Sequence, residues 1–355
     1  MKKALVIRFS SFGDIVQASS VIEILKHSGY AQVDWLTKKE FAHLVALNQG
    51  LGEVISFDKK NGLFSLIKLT FKLIARNYDL VYDAHNNLRT LLIKLLFALS
   101  FRPVKVVVRS KERWKRFLLF KLRINQFPKP YVGVDSFYFP LQKKLNFNVP
   151  SDLASMSYWD FKSQDVKFVL NFINEHQLIQ QKYIALIPSA AWEMKRWPNE
   201  HWKEFLKQAL CHPKLQEMKY IFLGGPEDLY IGLLLNELSL ESIELKNEIN
   251  ARVVNAAGKL SLTQSSYLLK EAKSFISGDT GLLHVADRLG VPGIAIQGPT
   301  AFGFTKSSSI KTMEVDLACR PCTKDGRGRC SNEIFKACLV QIHPQSILQE
   351  LLLKI

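Results

Sequence analysis

Ser277-Gly278-Asp279-Thr280-Gly281-Leu282-Leu283-His284, followed by Val291-Pro292-Gly293-Ile294-Ala295-Ile296-Gln297-Gly298-Pro299-Thr300, is the stretch of this sequence that decides its fold. The apolar run Ser274-Phe275-Ile276 reads as a strand that ends in a turn with two glycines, and a helical pattern starts at Leu282. Glycine lets backbone approach a ligand closely, and the first N–H groups of a helix have no intrahelical partner. Such a terminus favours an anion, phosphate above all. Asp279 and His284 flank it as polar groups able to hold a sugar or share charge with a phosphate. An Asp/Thr-capped corner without a ligand has the same local pattern.

A second corner of this kind opens the chain. Ala4-Leu5-Val6-Ile7-Arg8 is a short strand, Phe9-Ser10-Ser11-Phe12-Gly13-Asp14 a polar turn, and apolar residues at Ile15, Ala18, Ile22 and Leu25 mark a helix. Corners like these place side chains at the carboxyl edge of a parallel sheet. The turn is not Gly-x-Gly-x-x-Gly, which argues against a dinucleotide oxidoreductase. Asp14 suits either a carboxylate facing a cleft or a cap on the following helix.

Between and beyond these corners, strands and helices alternate. Strands read at Gln32–Leu36, Glu53–Phe57, Asp79–Asp83 and Val104–Val108 alternate with helices near 40–47, 63–76 and 88–99. Phe127–Ser155 reads as a connector. A second series runs through strands at 183–188, 219–223, 253–254, 275–276 and 293–297. Repeated βα units predict an α/β protein with parallel, doubly wound sheets. The simplest arrangement is two facing Rossmann-like domains with a cleft between them, at 1–165 and 166–355, with the last helix able to pack back on the N-terminal domain.

The length of 355 residues fits two domains, and 47% hydrophobic residues supports full cores. No segment reaches the ~18 apolar residues of a membrane span. The N-terminus enters a strand directly, without a leader pattern, so a cytosolic protein is expected. The net charge of +16 implies an anionic partner. Cations concentrate between Arg102 and Lys129, including Arg109, Arg113, Lys115 and Arg116, with Trp114, Phe117 and Phe120 interleaved. Such a basic amphipathic segment suits a membrane surface, or is a solvated helix face. Nucleic acid is not expected as a partner: the charge does not track a recognition helix, and no nucleic-acid-binding signature appears. Cys319-x2-Cys322-x7-Cys330-x7-Cys338 is compatible with zinc or with a reduced, metal-free loop.

In order along the chain, Arg8-Phe9-Ser10-Ser11-Phe12-Gly13-Asp14, Tyr78-Asp79-Leu80-Val81-Tyr82-Asp83, Lys195-Arg196-Trp197-Pro198, Gly224-Gly225-Pro226-Glu227 and Gly278-Asp279-Thr280-Gly281-Leu282-Leu283-His284 resemble the motifs of glycosyltransferase family 9, the ADP-heptose:lipopolysaccharide heptosyltransferases. The likeness includes the cysteine segment. It implies a GT-B fold, an ADP-heptose donor held mainly by the C-terminal domain, and a lipid A–inner core acceptor held mainly by the N-terminal one. It also implies inversion at the anomeric carbon without a divalent metal or other cofactor, in an enzyme peripheral to the inner face of the inner membrane.

Residue by residue, Asp14 matches the family's catalytic base, and Lys195 the residue that neutralises the leaving phosphates. Asp279, Thr280, Gly281, Leu282 and His284 match the donor-binding turn. Ser10, Ser11 and Gly13 match the small residues near the sugar-phosphate, and Glu227, with Asp228 as alternative, the residue facing the ribose. On the acceptor side fall Asp83 and His85, with Arg109, Arg113, Lys115 and Arg116 from the basic segment. The family's Asp-x-Gln pattern reads Asp83-Ala84-His85 here, so the acceptor sugar or its orientation is expected to differ. The alternatives are a GT-B enzyme acting on another nucleotide sugar, as an epimerase or a transferase of a different sugar, and, from a different class, a basic nucleic-acid-binding protein.

Overall fold

The computed structural model describes residues 1–58, 60, 62–146 and 159–355. The chain divides into two compact units. One comprises Met1–Phe117 and Gly133–Asp160; the other comprises Leu118–Val132 and Phe161–Ile355.

The first unit is built on five parallel strands, β1 (Lys2–Ile7), β2 (Tyr30–Lys38), β3 (Val54–Phe57), β4 (Leu80–Asp83) and β5 (Lys105–Val108), in the order β3-β2-β1-β4-β5. Ala4, Leu5, Val6 and Ile7 are fully buried, as expected of a central parallel strand covered on both faces. The strand order reverses between β1 and β4, where Ile7 stands opposite Asp83. The helix read after β1 is two helices, Phe12–Ser19 and Val21–His27, because the Ser20 hydroxyl bonds back to the Gln17 carbonyl at 2.8 Å. Asn87 caps the helix Leu88–Leu99, accepting from Thr90 N at 3.0 Å.

The expected connector Phe127–Ser155 contains a helix, Asp135–Leu145, that buries Phe137, Tyr138 and Leu141. Pro140 inside it hid the helical pattern. The part of that stretch from 147 to 155 lies outside the described residues.

The second unit carries six parallel strands: β6 (Tyr183–Ile187), β7 (Lys219–Phe222), β8 (Val253–Asn255), β9 (Ser274–Gly278), β10 (Gly293–Ile296) and β11 (Ile310–Met313), in the order β11-β10-β9-β6-β7-β8. Read from β8, this is third, second, first, fourth, fifth, sixth: the doubly wound order, with its reversal between β6 and β9. The edge strand β11 was missed in the sequence because Ile-Lys-Thr-Met is short and half-exposed.

Two expectations about the domains are corrected. Leu118–Val132 joins the second unit, since Phe120, Phe127 and Tyr131 all pack against the Phe302 ring, with centroids 5.1–6.1 Å apart. The last helix, Pro344–Leu352, stays in the second unit, burying Ile347, Leu348 and Leu351 against the helix Asn199–Cys211 and β10.

Candidate functional site

Each unit places a carboxylate against a cation at the point where its strand order reverses. In the first, the loop after β1 carries Asp14 in the first turn of the helix Phe12–Ser19. Its Oδ2 accepts from the Ser11 hydroxyl at 2.6 Å and from the Ser11 backbone N at 3.4 Å. Asp14 therefore does cap its helix, and the same oxygen also meets Arg8 Nη2 at 2.6 Å, while Oδ1 lies 3.8 Å from Arg109 Nη1. Arg8 is anchored by a bond from Nη1 to the Ala84 carbonyl at 2.7 Å. Arg109 donates to the Ser136 hydroxyl at 2.7 Å and lies 3.7 Å over the Phe137 ring. Burial works to raise the Asp14 pKa, but Arg8, Arg109 and the Ser11 hydrogen bonds outweigh it and hold the carboxyl at about 2. The Asp14 side chain stays 36% exposed, so a substrate can reach it.

The loop after β4 stands beside this cluster. Asp83 is fully buried. It accepts from the backbone N of His85 and Asn86 at 3.0 and 2.7 Å and pairs with Lys94 at 2.8 Å. Its oxygens shape the loop, leaving His85 as the half-buried side chain of the motif. Burial, reinforced by Arg8 and Lys111, lowers the His85 pKa to about 4, so the ring is neutral at pH 7.

In the second unit, the loop after β6 brings Lys195 to Asp279, the first residue after β9, at 2.8 Å. The same Asp279 oxygen accepts from the Thr300 hydroxyl at 2.7 Å, and Gln297 in turn donates to Thr300 at 2.9 Å. His284 Nε2 lies 3.8 Å from the other Asp279 oxygen. Burial opposes ionisation of Asp279, but Lys195, His284 and Thr300 lower its pKa. Two glycines allow this closeness: a Cβ on Gly303 would stand 2.5 Å from Asp279 Oδ1, and one on Gly326 2.6 Å from Lys195 Cγ. Thr280 precedes the helix Gly281–Leu289 in extended conformation, so the N–H groups of Gly281 and Leu282 belong to its first turn.

Glu227 and Asp228 have different local settings. Asp228 is buried, accepts from Gly225 N at 2.8 Å and lies 3.6 Å from Arg196, so it braces the turn. Glu227 is exposed. Sequence reasoning assigned no role to Arg8, Thr300, Gln297, Gly303 or Gly326. Arg8 and Thr300 carried a signal, standing at the ends of the two quoted strand–turn motifs.

The basic segment is not one free face. Arg109 belongs to the Asp14 cluster, and Arg123 donates to the carbonyl of Pro321 at 3.0 Å. The helix Arg113–Leu122 buries Leu118 and Leu119 and exposes Arg113, Trp114 and Phe117, and Lys115 lies 3.6 Å from Glu112. Among the described residues, no three His, Cys, Asp or Glu are arranged to hold a metal ion. The cysteines are unbridged, and burial pushes the Cys338 thiol up to about 11. Among the described residues, no helix is long and apolar enough to cross a membrane.

Two doubly wound parallel units are the architecture of the GT-B fold, and solved structures share it. Escherichia coli ADP-heptose lipopolysaccharide heptosyltransferase II aligns with a TM-score of 0.69, covering 100% of this chain and 98% of that one at 21% identity. A family 9 glycosyltransferase from Veillonella parvula aligns at 0.75, covering 99% and 97% at 18% identity. The family model of glycosyltransferase family 9 (heptosyltransferase) matches residues 66–335, and the chain belongs to this family. Among its relatives are lipopolysaccharide heptosyltransferase 2 of Escherichia coli K12, 25% identical over 98% of this chain and 97% of its own length, and lipooligosaccharide heptosyltransferase 2 of Haemophilus ducreyi, 24% identical over 98% of each.

Gly303→Ala forces the pinned Asp279 carboxylate to shift. It is expected to cost about 1–3 kcal/mol by overpacking, read as a lower urea midpoint with an unchanged m-value. An unchanged midpoint would show that the carboxylate yields freely.

His85 makes a separate prediction. Its folded pKa of about 4 lies below the ~6.5 of an unfolded histidine. The unfolded chain therefore takes up a proton that the folded one refuses, and stability falls as pH drops from about 6.5 to 4. His85→Gln removes this term, so the variant's melting temperature should fall less between pH 7 and pH 5 than the parent's. Parallel losses would contradict the assignment.

Proposed function

We propose that this protein transfers heptose from ADP-heptose to the inner core of lipopolysaccharide, with inversion and without a divalent metal, as a cytoplasmic enzyme peripheral to the inner membrane. The observation that carries the reading is the pair of clusters. Asp14, accessible and ionised, meets the need for a base toward an acceptor hydroxyl, and Lys195 meets the need for a cation toward a departing diphosphate.

The acceptor oxygen attacks the anomeric carbon on the face opposite the diphosphate. The new C–O bond forms as the bond to ADP breaks, and Asp14 receives the hydroxyl proton. A carboxyl held at about 2 is a weak base, so its proton arrives only as the attacking oxygen acidifies during bond formation. On the donor side, Lys195 moves its charge from Asp279 toward the phosphates, and the N–H groups of Thr280, Gly281 and Leu282 share that load. Asp279 and His284 hold the sugar, Ser10, Ser11 and Gly13 border the sugar-phosphate, and Glu227 faces the ribose. On the acceptor side, His85, Arg109, Arg113, Lys115 and Arg116 meet the phosphates and carboxylates of the inner core, with Asp83 supporting the loop. His85 in place of glutamine favours a second reading, transfer to a different acceptor sugar or in a different orientation, which comparative turnover on different core acceptors separates.

Asp14→Asn should keep the fold and the affinity for ADP while lowering turnover by about 10²–10⁴. Turnover within a few-fold of the parent would leave Asp14 as a helix cap alone.

Lys195→Ala should weaken ADP-heptose binding and slow transfer together, because leaving-group charge then goes uncompensated. Titration calorimetry with ADP and steady-state kinetics would show this. Unchanged affinity and rate would remove Lys195 from the donor site.

A further inference from the structure

The helices Gly62–Ala75 and Leu88–Leu99 of the first unit pack against each other, and each is apolar on both sides. The inner side of Leu88–Leu99 buries Thr90, Ile93 and Phe97. Its outer side exposes Leu88, Leu91, Leu95 and Leu99, spaced i, i+3, i+7 and i+11 on one face. The neighbouring helix repeats the pattern: Leu66, Thr70, Leu73 and Ile74 are buried, while Leu63, Phe64 and Phe71 stand outside, Phe64 at 89% exposure. Phe101 follows at 93% exposure, with φ of 54° in the left-handed region that favours glycine. Folding gains nothing from a bulky, unburied side chain there.

We infer that this two-helix face is the surface by which the enzyme lies on an anionic lipid bilayer. Three observations select lipid as the occupant. The exposed polar residues among the leucines and phenylalanines include Lys68 and Lys72, and neither helix contains an acidic residue. The only acids between Gly62 and Lys105 are Asp79, which accepts from Lys3 N, and Asp83, buried with Lys94. A second copy of the chain placed symmetrically on this face would set lysine against lysine, whereas an anionic surface complements it. At 14 and 12 residues the helices are about 21 and 18 Å long, too short to span a bilayer and suited to lying in its interface. The stripe also begins at Leu88, directly after the His85–Asn87 loop, so lipid contact starts where the acceptor is proposed to bind. This role rests on the proposed lipid-linked acceptor, and it assigns the membrane contact to these helices instead of the segment Arg113–Leu122.

The test is co-sedimentation of the full-length protein with vesicles of phosphatidylglycerol and phosphatidylethanolamine, alongside turnover on a deacylated, water-soluble core acceptor. Phe64→Ser/Leu91→Ser/Leu95→Ser should weaken vesicle binding by at least about 30-fold. Lys68→Ser/Lys72→Ser should weaken it by about 10- to 30-fold and flatten its salt dependence. Both variants should turn over the soluble acceptor like the parent and lose rate only on acceptor presented in vesicles. Arg113→Ser/Lys115→Ser/Arg116→Ser should retain vesicle binding. The proposal is overturned if the parent does not bind these vesicles, if the apolar variant binds as the parent does, or if that variant only converts a dimer to a monomer in sedimentation velocity. Patch-dependent vesicle binding without turnover on any heptose acceptor would keep the surface and reject the proposed function.

Discussion

In each unit, the chain leaves the first strand in one direction, returns to its other side with the fourth, and so leaves two loops side by side at the strands' carboxyl ends. Parallel pairing of β1 with β4, and of β6 with β9, is the constraint on which the candidate site depends. It brings Asp14 beside the His85 loop, and Lys195 within 2.8 Å of Asp279. No local preference of either loop could have done so, because the partners are far apart in sequence.

Both reversal points solve the same electrostatic problem. A carboxylate drawn out of water is stable as an anion only when cations and hydrogen bonds replace its hydration. Asp14 has Arg8, Arg109 and Ser11; Asp279 has Lys195, His284 and Thr300. Their consequences differ. Arg8 and Arg109 are themselves anchored, by Ala84 and by Ser136 and Phe137, so the Asp14 carboxylate is held from several sides and ionised before any substrate arrives. The Lys195 ammonium is a single contact on a flexible stem, free to exchange a carboxylate for a phosphate. A held carboxylate and an exchangeable cation suit the proposed displacement of a diphosphate by a hydroxyl.

The alternating βα pattern was legible because buried parallel strands such as Ala4–Ile7 are short apolar runs bounded by turn residues, and among the described residues β11 alone of the strands was not read this way from the sequence. β11 is half-exposed and the helix Asp135–Leu145 contains a proline, so neither shows the expected period. The residues nearest the proposed chemistry, Asp14, Lys195 and Asp279, stood out through their motifs. Two of their supports did not: Gly303 and Gly326 make room for side chains that only the folded chain brings near. Nor did the sequence distinguish Glu227 from Asp228, since exposure of one and burial of the other depends on Gly225 and Arg196. The basic segment misled for a similar reason, because its cations read alike in sequence while Arg109 and Arg123 are engaged with different parts of the protein.

The central claim is that this protein carries out heptosyl transfer. Mass spectrometry of an inner-core acceptor incubated with the purified protein and ADP-heptose tests it most directly. The account predicts a product heavier by one heptosyl residue, formed in step with ADP release, joined with inverted anomeric configuration and undiminished by a metal chelator. An acceptor of unchanged mass beside a protein that binds ADP-heptose, or transfer from a UDP-sugar in its place, would contradict it.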